Sequence, residues 1–435
     1  MKRLRMVALL GLWALGAVAC QEISPTTVDE GLLPPEPATV EVRLPWDDFA
    51  SGLEVLGGYG SPLELGSGVA AHEFAGTLEA RTLVRFSGYP RQASVRDSTG
   101  STRLDTLLTF TGGRVVALLD TVASTNEGPV TLALGALQQE WDARTATWRM
   151  AVDTIHDERP WDEPGAGPVQ SLGTAVWDPA EGDTVVFPLD SADAALWADT
   201  TDTSGGIRLD LLTSGERVKV TNVVLRLDTR PSSNPDTSIV LTAPRKEITF
   251  IYDPFPEPPP DGIRIGGAPS WRTVMDIRVP QTLNGPEALC RAAGCPLALT
   301  EDHLNYAALV LYTRRSEPAF QPTDSVNLDV RPVLLREALP KAPLGSSLTG
   351  TLGRRVSPDL FGDEAGTPIE IPITAFVADL IRGETRTGGT PPRTLALLST
   401  FEPLSIAFAS FYGPGSEFEP VLKLIVTAGP PVELP

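Results

Sequence analysis

The chain is 435 residues long and carries 35 Lys and Arg against 55 Asp and Glu, a formal net charge of −20 at neutral pH. So acidic a protein is not expected to bind nucleic acid, because phosphate recognition needs a basic surface. With three His and three Cys in the whole length, metal or nucleophile chemistry built on His has little material to work with.

The first predicted element is a secretory signal over residues 1–19. Lys2, Arg3 and Arg5 precede an uncharged apolar run from Met6 to Gly16, and the small residues Ala17, Val18 and Ala19 close it. The run is about half of the ~20 residues that a membrane-crossing helix needs, so it is expected to be cleaved rather than kept as an anchor. Ala17-Val18-Ala19-Cys20 resembles the lipobox of bacterial lipoproteins, in which the Cys thiol is diacylated and the peptide is cut just before it. By that resemblance Cys20 is the lipid-bearing first residue of the mature chain and a membrane is its partner. Gln21, standing where Asp would signal retention, implies the outer membrane of the cell envelope. Each buried methylene of such an anchor contributes about 0.8 kcal/mol, so several acyl chains hold firmly. Residues 20–38, with Pro34, Pro35 and Pro37, lack apolar periodicity and read as a flexible tether.

From residue 39 the pattern is β. Val40, Val42 and Leu44 alternate with Glu41 and Arg43, and Thr82, Val84 and Phe86 with Leu83 and Arg85. The same period of two recurs at Val223, Leu225 and Leu227, and at Ile248, Phe250 and Tyr252. Asp253-Pro-Phe-Pro-Glu-Pro-Pro-Pro-Asp261 reads as a stiff spacer. It divides the folded chain into 39–252 and 262–430, in keeping with a length that exceeds a usual single domain. The second part alternates at Ile369, Ile371 and Ile373 and at Leu422, Leu424 and Val426. Turn residues are plentiful, with 39 Gly and 41 Pro, and helix signals are few. The clearest is Thr374 to Ile381, where Thr374 is placed to N-cap and Phe376/Leu380 and Val377/Ile381 fall on one side.

With Cys20 assigned to lipid, Cys290 and Cys295 remain. In an oxidising compartment they are expected to form a disulfide that closes a small loop, worth about 2 kcal/mol by loop entropy. A zinc site that adds His303 is the alternative, and two Cys with one His fall short of its usual ligand set.

The two parts also match each other. Arg81-Thr-Leu-Val-Arg-Phe86 corresponds to Arg272-Thr-Val-Met-Asp-Ile277, Val116-Ala-Leu-Leu-Asp-Thr121 to Ala308-Leu-Val-Leu-Tyr-Thr313, and Val130-Thr-Leu132 to Val326-Asn-Leu328. Phe187-Pro-Leu-Asp190, with the Ala-rich turn to Trp197, corresponds to Ile371-Pro-Ile-Thr374 with its helix. Arg208-Leu-Asp-Leu-Leu212 corresponds to Thr394-Leu-Ala-Leu-Leu398. Matches in one order without crossing imply a tandem duplication. The expected fold is therefore all-β: two tandem jelly-roll-like antiparallel β-sandwiches with few short helices.

Copy one carries the strand at 81–86, a later strand ending in Leu119-Asp-Thr121, and Glu140-Trp-Asp-Ala-Arg-Thr-Ala-Thr-Trp148. Val186-Phe-Pro-Leu189, a short helix with Trp197, and Gly205-Gly-Ile-Arg-Leu209 follow. This order resembles the DNRLRE-type jelly-roll domains of secreted and surface proteins, some of which resemble carbohydrate-binding modules. The Trp141 to Trp148 segment is its most specific piece. Copy two has Leu335-Arg-Glu-Ala-Leu339 near that place, without Trp, and its ending from Ile406 to Val426 is typical of such surface domains. The resemblance implies a fold more firmly than an activity.

Trp141, Trp148, Trp161, Trp177 and Trp197 all fall in copy one, and a flat indole can stack on a sugar face. Trp148 and Trp197 sit in apolar-periodic segments and are expected in the core. Trp161 lies in His156-Asp-Glu-Arg-Pro-Trp-Asp-Glu-Pro-Gly165, a polar loop in which its ring is the candidate for exposed ligand contact. Asp157, Glu158, Asp162 and Glu163 share that loop and would suit Ca²⁺ or acid/base work, against a reading as a solvated acidic loop. No Walker loop, His-Glu-x-x-His, Gly-x-Ser-x-Gly or Cys-x-x-Cys occurs, which disfavours an enzyme. The expectation is a surface-tethered, non-catalytic protein that binds glycan or matrix. The alternatives are a structural subunit that binds envelope or export proteins, and a polysaccharide-degrading enzyme with carboxylates in the 142–163 region.

Overall fold

A computed structural model describes residues 36–96, 99–197, 205–402 and 405–429. The signal segment, Cys20 and the tether up to residue 35 lie outside the described residues. β1 (Ala38–Leu44) and β2 (Ala50–Tyr59) flank one helical turn at Trp46–Phe49. β3 (Gly68–Phe74), β4 (Leu78–Phe86), a small hairpin of β5 (Ala93–Arg96) and β6 (Thr102–Asp105), then β7 (Leu108–Leu119) and β8 (Val130–Leu137) follow. A second hairpin, β9 (Met150–Thr154) with β10 (Asp157–Pro160), precedes β11 (Val169–Trp177), β12 (Thr184–Leu189) and β13 (Ile207–Leu211). β14 (Glu216–Pro231) and β15 (Ile239–Asp253) lead to β16 (Gly262–Gly266), β17 (Ser270–Ile277), β18 (Thr282–Leu283) and β19 (Leu297–Ala298). The chain continues through β20 (Leu304–Arg314), β21 (Val326–Pro332), β22 (Arg354–Val356) and β23 (Pro368–Pro372) to β24 (Thr394–Ser399), β25 (Phe408–Tyr412) and β26 (Val421–Ala428). The fold is all-β. No helix among the described residues is long and apolar enough to cross a membrane.

The chain forms two compact units. The small one holds the described parts of Met1–Val42, Pro280–Asn305 and Leu424–Pro435. In it Thr39 and Thr427 share a 2.6 Å hydroxyl hydrogen bond, and β18 pairs with β19 around the helix Glu287–Ala293. The disulfide between Cys290 and Cys295 is present, so neither thiol is free to hold the zinc weighed above.

The large unit, Arg43–Val279 with Tyr306–Lys423, contains two sandwiches. In the first, one antiparallel sheet runs β11-β8-β13-β4-β15-β14-β7-β12, and β3 pairs with both β14 and β4. It rolls until its edge strands β11 and β12 come side by side. One continuous core fills it, including Phe86, Leu134, Trp177, Phe187, Leu209 and Leu225. In β14 the inward residues are Val218 and Val220, then Val223, Leu225 and Leu227. The step of three is a β-bulge between Val220 and Asn222 that re-aims the strand by one position.

The second sheet repeats part of that order. The first contains β8-β13-β4 and β7-β12, and the second contains β21-β24-β17 and β20-β23. These are the strands that carry the matched sequences, and a short helix follows both β12 and β23, at Ser191–Ala194 and Thr374–Arg382. The place that β15 takes beside β4 is taken beside β17 by β2, with Leu53 opposite Met275 and Val55 opposite Thr273. Residues 50–59 thus belong to the second sheet, and a cut of the chain into 39–252 and 262–430 does not follow sheet membership. Nor does Asp253–Asp261 hold two sandwiches apart. Phe255 packs on Tyr252 and Trp271. Leu78, Phe250 and Tyr252 of the first half share one core with Trp271, Phe320 and Phe408 of the second.

The helix expected at Thr374 to Ile381 spans Thr374–Arg382. Thr374 is not its cap. Its Oγ1 accepts the Ala307 N–H of β20 at 3.0 Å, while the N-cap position, Ile373, has no side-chain hydrogen bond.

Candidate functional site

The 139–167 segment is a small folded cap on the outer face of β4 and β15. Trp161 is 4% exposed and packs with Leu83, Trp141, Ala151 and Ile251. Its Nε1 donates to the Thr147 carbonyl at 2.9 Å. The exposed stacking ring expected from the sequence is therefore a core ring, because the polar neighbours of Trp161 point outward while its indole points in. Trp141 and Trp148 lie under the guanidinium groups of Arg85 and Arg81, at 4.5 and 4.7 Å from ring centre to Cζ.

Asp157, Glu158, Asp162 and Glu163 are exposed and do not converge. Asp157 pairs with Arg159 at 3.0 Å, and the same guanidinium holds Glu140 at 2.6 Å. Glu163 forms an isolated bridge with Gly167 through the backbone. Among the described residues no group of three or more His, Cys, Asp or Glu is placed to hold a metal ion, so these carboxylates do not make the Ca²⁺ cage weighed from the sequence.

A different place gathers unsatisfied polar groups. A cavity of about 360 Å³ lies between the start of β14, the turn after β7, the β16–β17 turn and residues 322–326, 399 and 405–407. Its floor is buried, with Arg217 6% and Ser399 1% exposed. Its rim carries Val122, 91% exposed, and the exposed Thr323, Asp324 and Ser405. Arg217 and Lys219 reach it because they alternate with Val218 and Val220 on β14. The two valines fill the first sandwich, so the two cations face the other way, toward the second.

Arg217 differs from the other buried charges among the described residues. Arg264 pairs with Glu317 at 2.7 Å, Asp329 with Arg331 at 2.6 Å, and Asp105 accepts from Ser232, Ser233 and Leu107. Arg217 has one 3.4 Å bond to the Ala319 carbonyl and lies over the Phe74 ring at 4.9 Å. Burial alone pushes its guanidinium down to about 10, with no opposite charge to offset it, so it stays charged at neutral pH. Lys219 is 3.6 Å from Asp120, and Asp120 Oδ1 also accepts the amides of Val122 and Ala123 at 3.0 Å each. The Ser399 hydroxyl, buried at the floor, has no hydrogen-bond partner among the described residues.

The sequence contains one signal for this site: Arg217 and Lys219 at alternate positions of an otherwise apolar strand. That β14 lies near residues 322–326, 399 and 405–407 is a tertiary fact that no local pattern carries.

No family model matches the chain, and no curated protein does. Among solved structures, a chain described as BspA_C_WT is 8% identical, with 80% of this chain and 90% of that one covered and a TM-score of 0.12. The N-terminal CBM22-1-CBM22-2 tandem domain of Xyn10C from Paenibacillus barcinonensis is 8% identical over 91% of this chain and 99% of that one, with a TM-score of 0.10. At these scores neither likeness identifies a relative.

Proposed function

We propose that this protein is a lipid-anchored component of the cell envelope, held at the outer membrane through Cys20, that binds a glycan or matrix polymer without transforming it. The observation that carries the binding role is the cavity of about 360 Å³ with a buried, unpaired Arg217 and an unsatisfied Ser399 at its floor. Concave sites that combine apolar walls with a few convergent polar groups are the usual form of small-molecule sites. A binding role suits this lining better than catalysis does. Glycoside hydrolysis uses two carboxylates facing one bond, and here Asp120 is engaged by Lys219 and two turn amides while Asp324 stands on the rim.

The anchor is supported by the basic, apolar and small-residue sequence of Met1 to Cys20, which resembles a lipoprotein signal. Palmitate labelling tests it: wild type incorporates label and Cys20→Ala does not, and equal labelling of the two removes the anchor. A glycan array probed with the full chain in detergent tests the binding role. Retention on one glycan class is expected, and an array without any binding overturns it.

A further inference from the structure

We propose that the cavity floored by Arg217 and Ser399 is an anion subsite that takes a singly charged acidic sugar, a uronate or a sugar sulfate monoester. The inference deepens the glycan reading and rests on it. A guanidinium largely removed from water without a counterion is costly. Arg217 is held in that state by its sandwich. It keeps its charge because burial lowers it only to about 10, and among the described residues its side chain has one carbonyl hydrogen bond and one ring face. Its remaining N–H donors form a planar fork of the kind that matches a carboxylate or sulfate. The Ser399 hydroxyl, buried beneath the same floor, has no hydrogen-bond partner among the described residues.

Charge placement selects a single negative charge. Lys219 and Asp120 offset each other at 3.6 Å, and Asp324 stands in solvent on the rim, so at the buried floor Arg217 has no ion-pair partner among the described residues. A monoanion neutralises it, whereas a dianionic phosphate would leave surplus negative charge beside two carboxylates. Size selects a small unit. About 360 Å³ is near the lower end of the ~300–1,000 Å³ spanned by ligand pockets, which is room for a sugar ring with its acidic substituent. Among the described residues no aromatic ring lines this cavity, so affinity comes from charge and hydrogen bonds and not from stacking.

The test is calorimetric titration of the full chain in detergent with glucuronate, glucose 6-sulfate, glucose and inorganic sulfate. The acidic sugars are expected to bind at least about tenfold tighter than glucose, the range of a hydrogen bond to a charged group. Arg217→Met should abolish that preference and melt no lower than wild type, since an apolar chain replaces a stranded charge. If Arg217→Met fails to fold, Ala407→Trp, which fills the cavity, must abolish the preference in its place. Equal binding of glucose and glucuronate overturns the inference, as does an unchanged preference in a folded Arg217→Met or Ala407→Trp. Binding of inorganic sulfate alone marks an adventitious ion only and overturns it too. Retention of neutral glycans on the array with no preference for acidic ones leaves the binding role standing and removes only the subsite. The absence of any sugar binding in both experiments removes both.

Discussion

Trp161 shows how far a single residue can be read from its neighbours. Asp, Glu and Pro on either side argue for an exposed loop, yet the ring is 4% exposed among Leu83, Trp141 and Ile251. The sequence contains no sign that a hairpin folds back over β4, and that contact decides the burial. Trp161→Ala is expected to destabilise the protein by about 3–5 kcal/mol, the cost of an emptied aromatic site, measured by denaturant unfolding; a loss under 1 kcal/mol would restore the exposed reading. Asp105 is a second residue whose role is local. Hydrogen bonds from Ser233 first, then from Leu107 and Ser232, hold its carboxyl down to about 2. A depressed acid contributes stability above its unfolded value, near 3.8, and loses it as pH falls toward about 2. Thermal melts of wild type and Asp105→Asn should therefore differ most above pH ~4 and converge as pH approaches ~2. A gap that persists at the acid end would assign the loss to shape and not to charge.

Elements were legible where their periodicity was unbroken. Val223, Leu225 and Leu227 announced β14 correctly, and the bulge at Val220–Asn222 hid that the same strand begins near Glu216. The matched pairs were legible as well, and they fall at corresponding places in the two sheets. The helix Thr374–Arg382 was legible in extent and misread at its start, because a Thr before an amphipathic run looks like a cap whether or not a neighbouring strand claims its hydroxyl. Thr374→Val is expected to leave the Ala307 amide unpaired at a cost of about 1–3 kcal/mol, and to raise its hydrogen-exchange rate, while Thr374→Ser keeps both near wild type. Unchanged protection at Ala307 in the Val variant would show that the hydroxyl does not serve β20.

At the scale of the whole molecule, the all-β class followed from composition and alternation, and the way the halves join did not. A Pro-rich segment in a long chain reads as a spacer, but Phe255 within it packs on Tyr252 and Trp271. The aromatics of the shared core come from strands far apart in sequence. Each such side chain contributes about 1.5–3 kcal/mol when fully buried, so each sandwich gains stability from the other's surface. Unfolding in urea is expected as one transition across both halves, and Trp271→Ala should shift it as a whole. Two separate transitions, with only the second moved by Trp271→Ala, would show independent domains.

The pairing of β2 with β17 also fixes a timetable. A chain that emerges from a ribosome or a translocation channel presents residues 50–59 long before residues 270–277 that complete their ladder. For the time needed to deliver ~200 further residues, at 5–20 residues per second, this early strand waits with its backbone groups unpaired. Such an edge is a template for the wrong partner. Any factor that shields residues 50–59 until residues 270–277 arrive would have its longest task at the amino end.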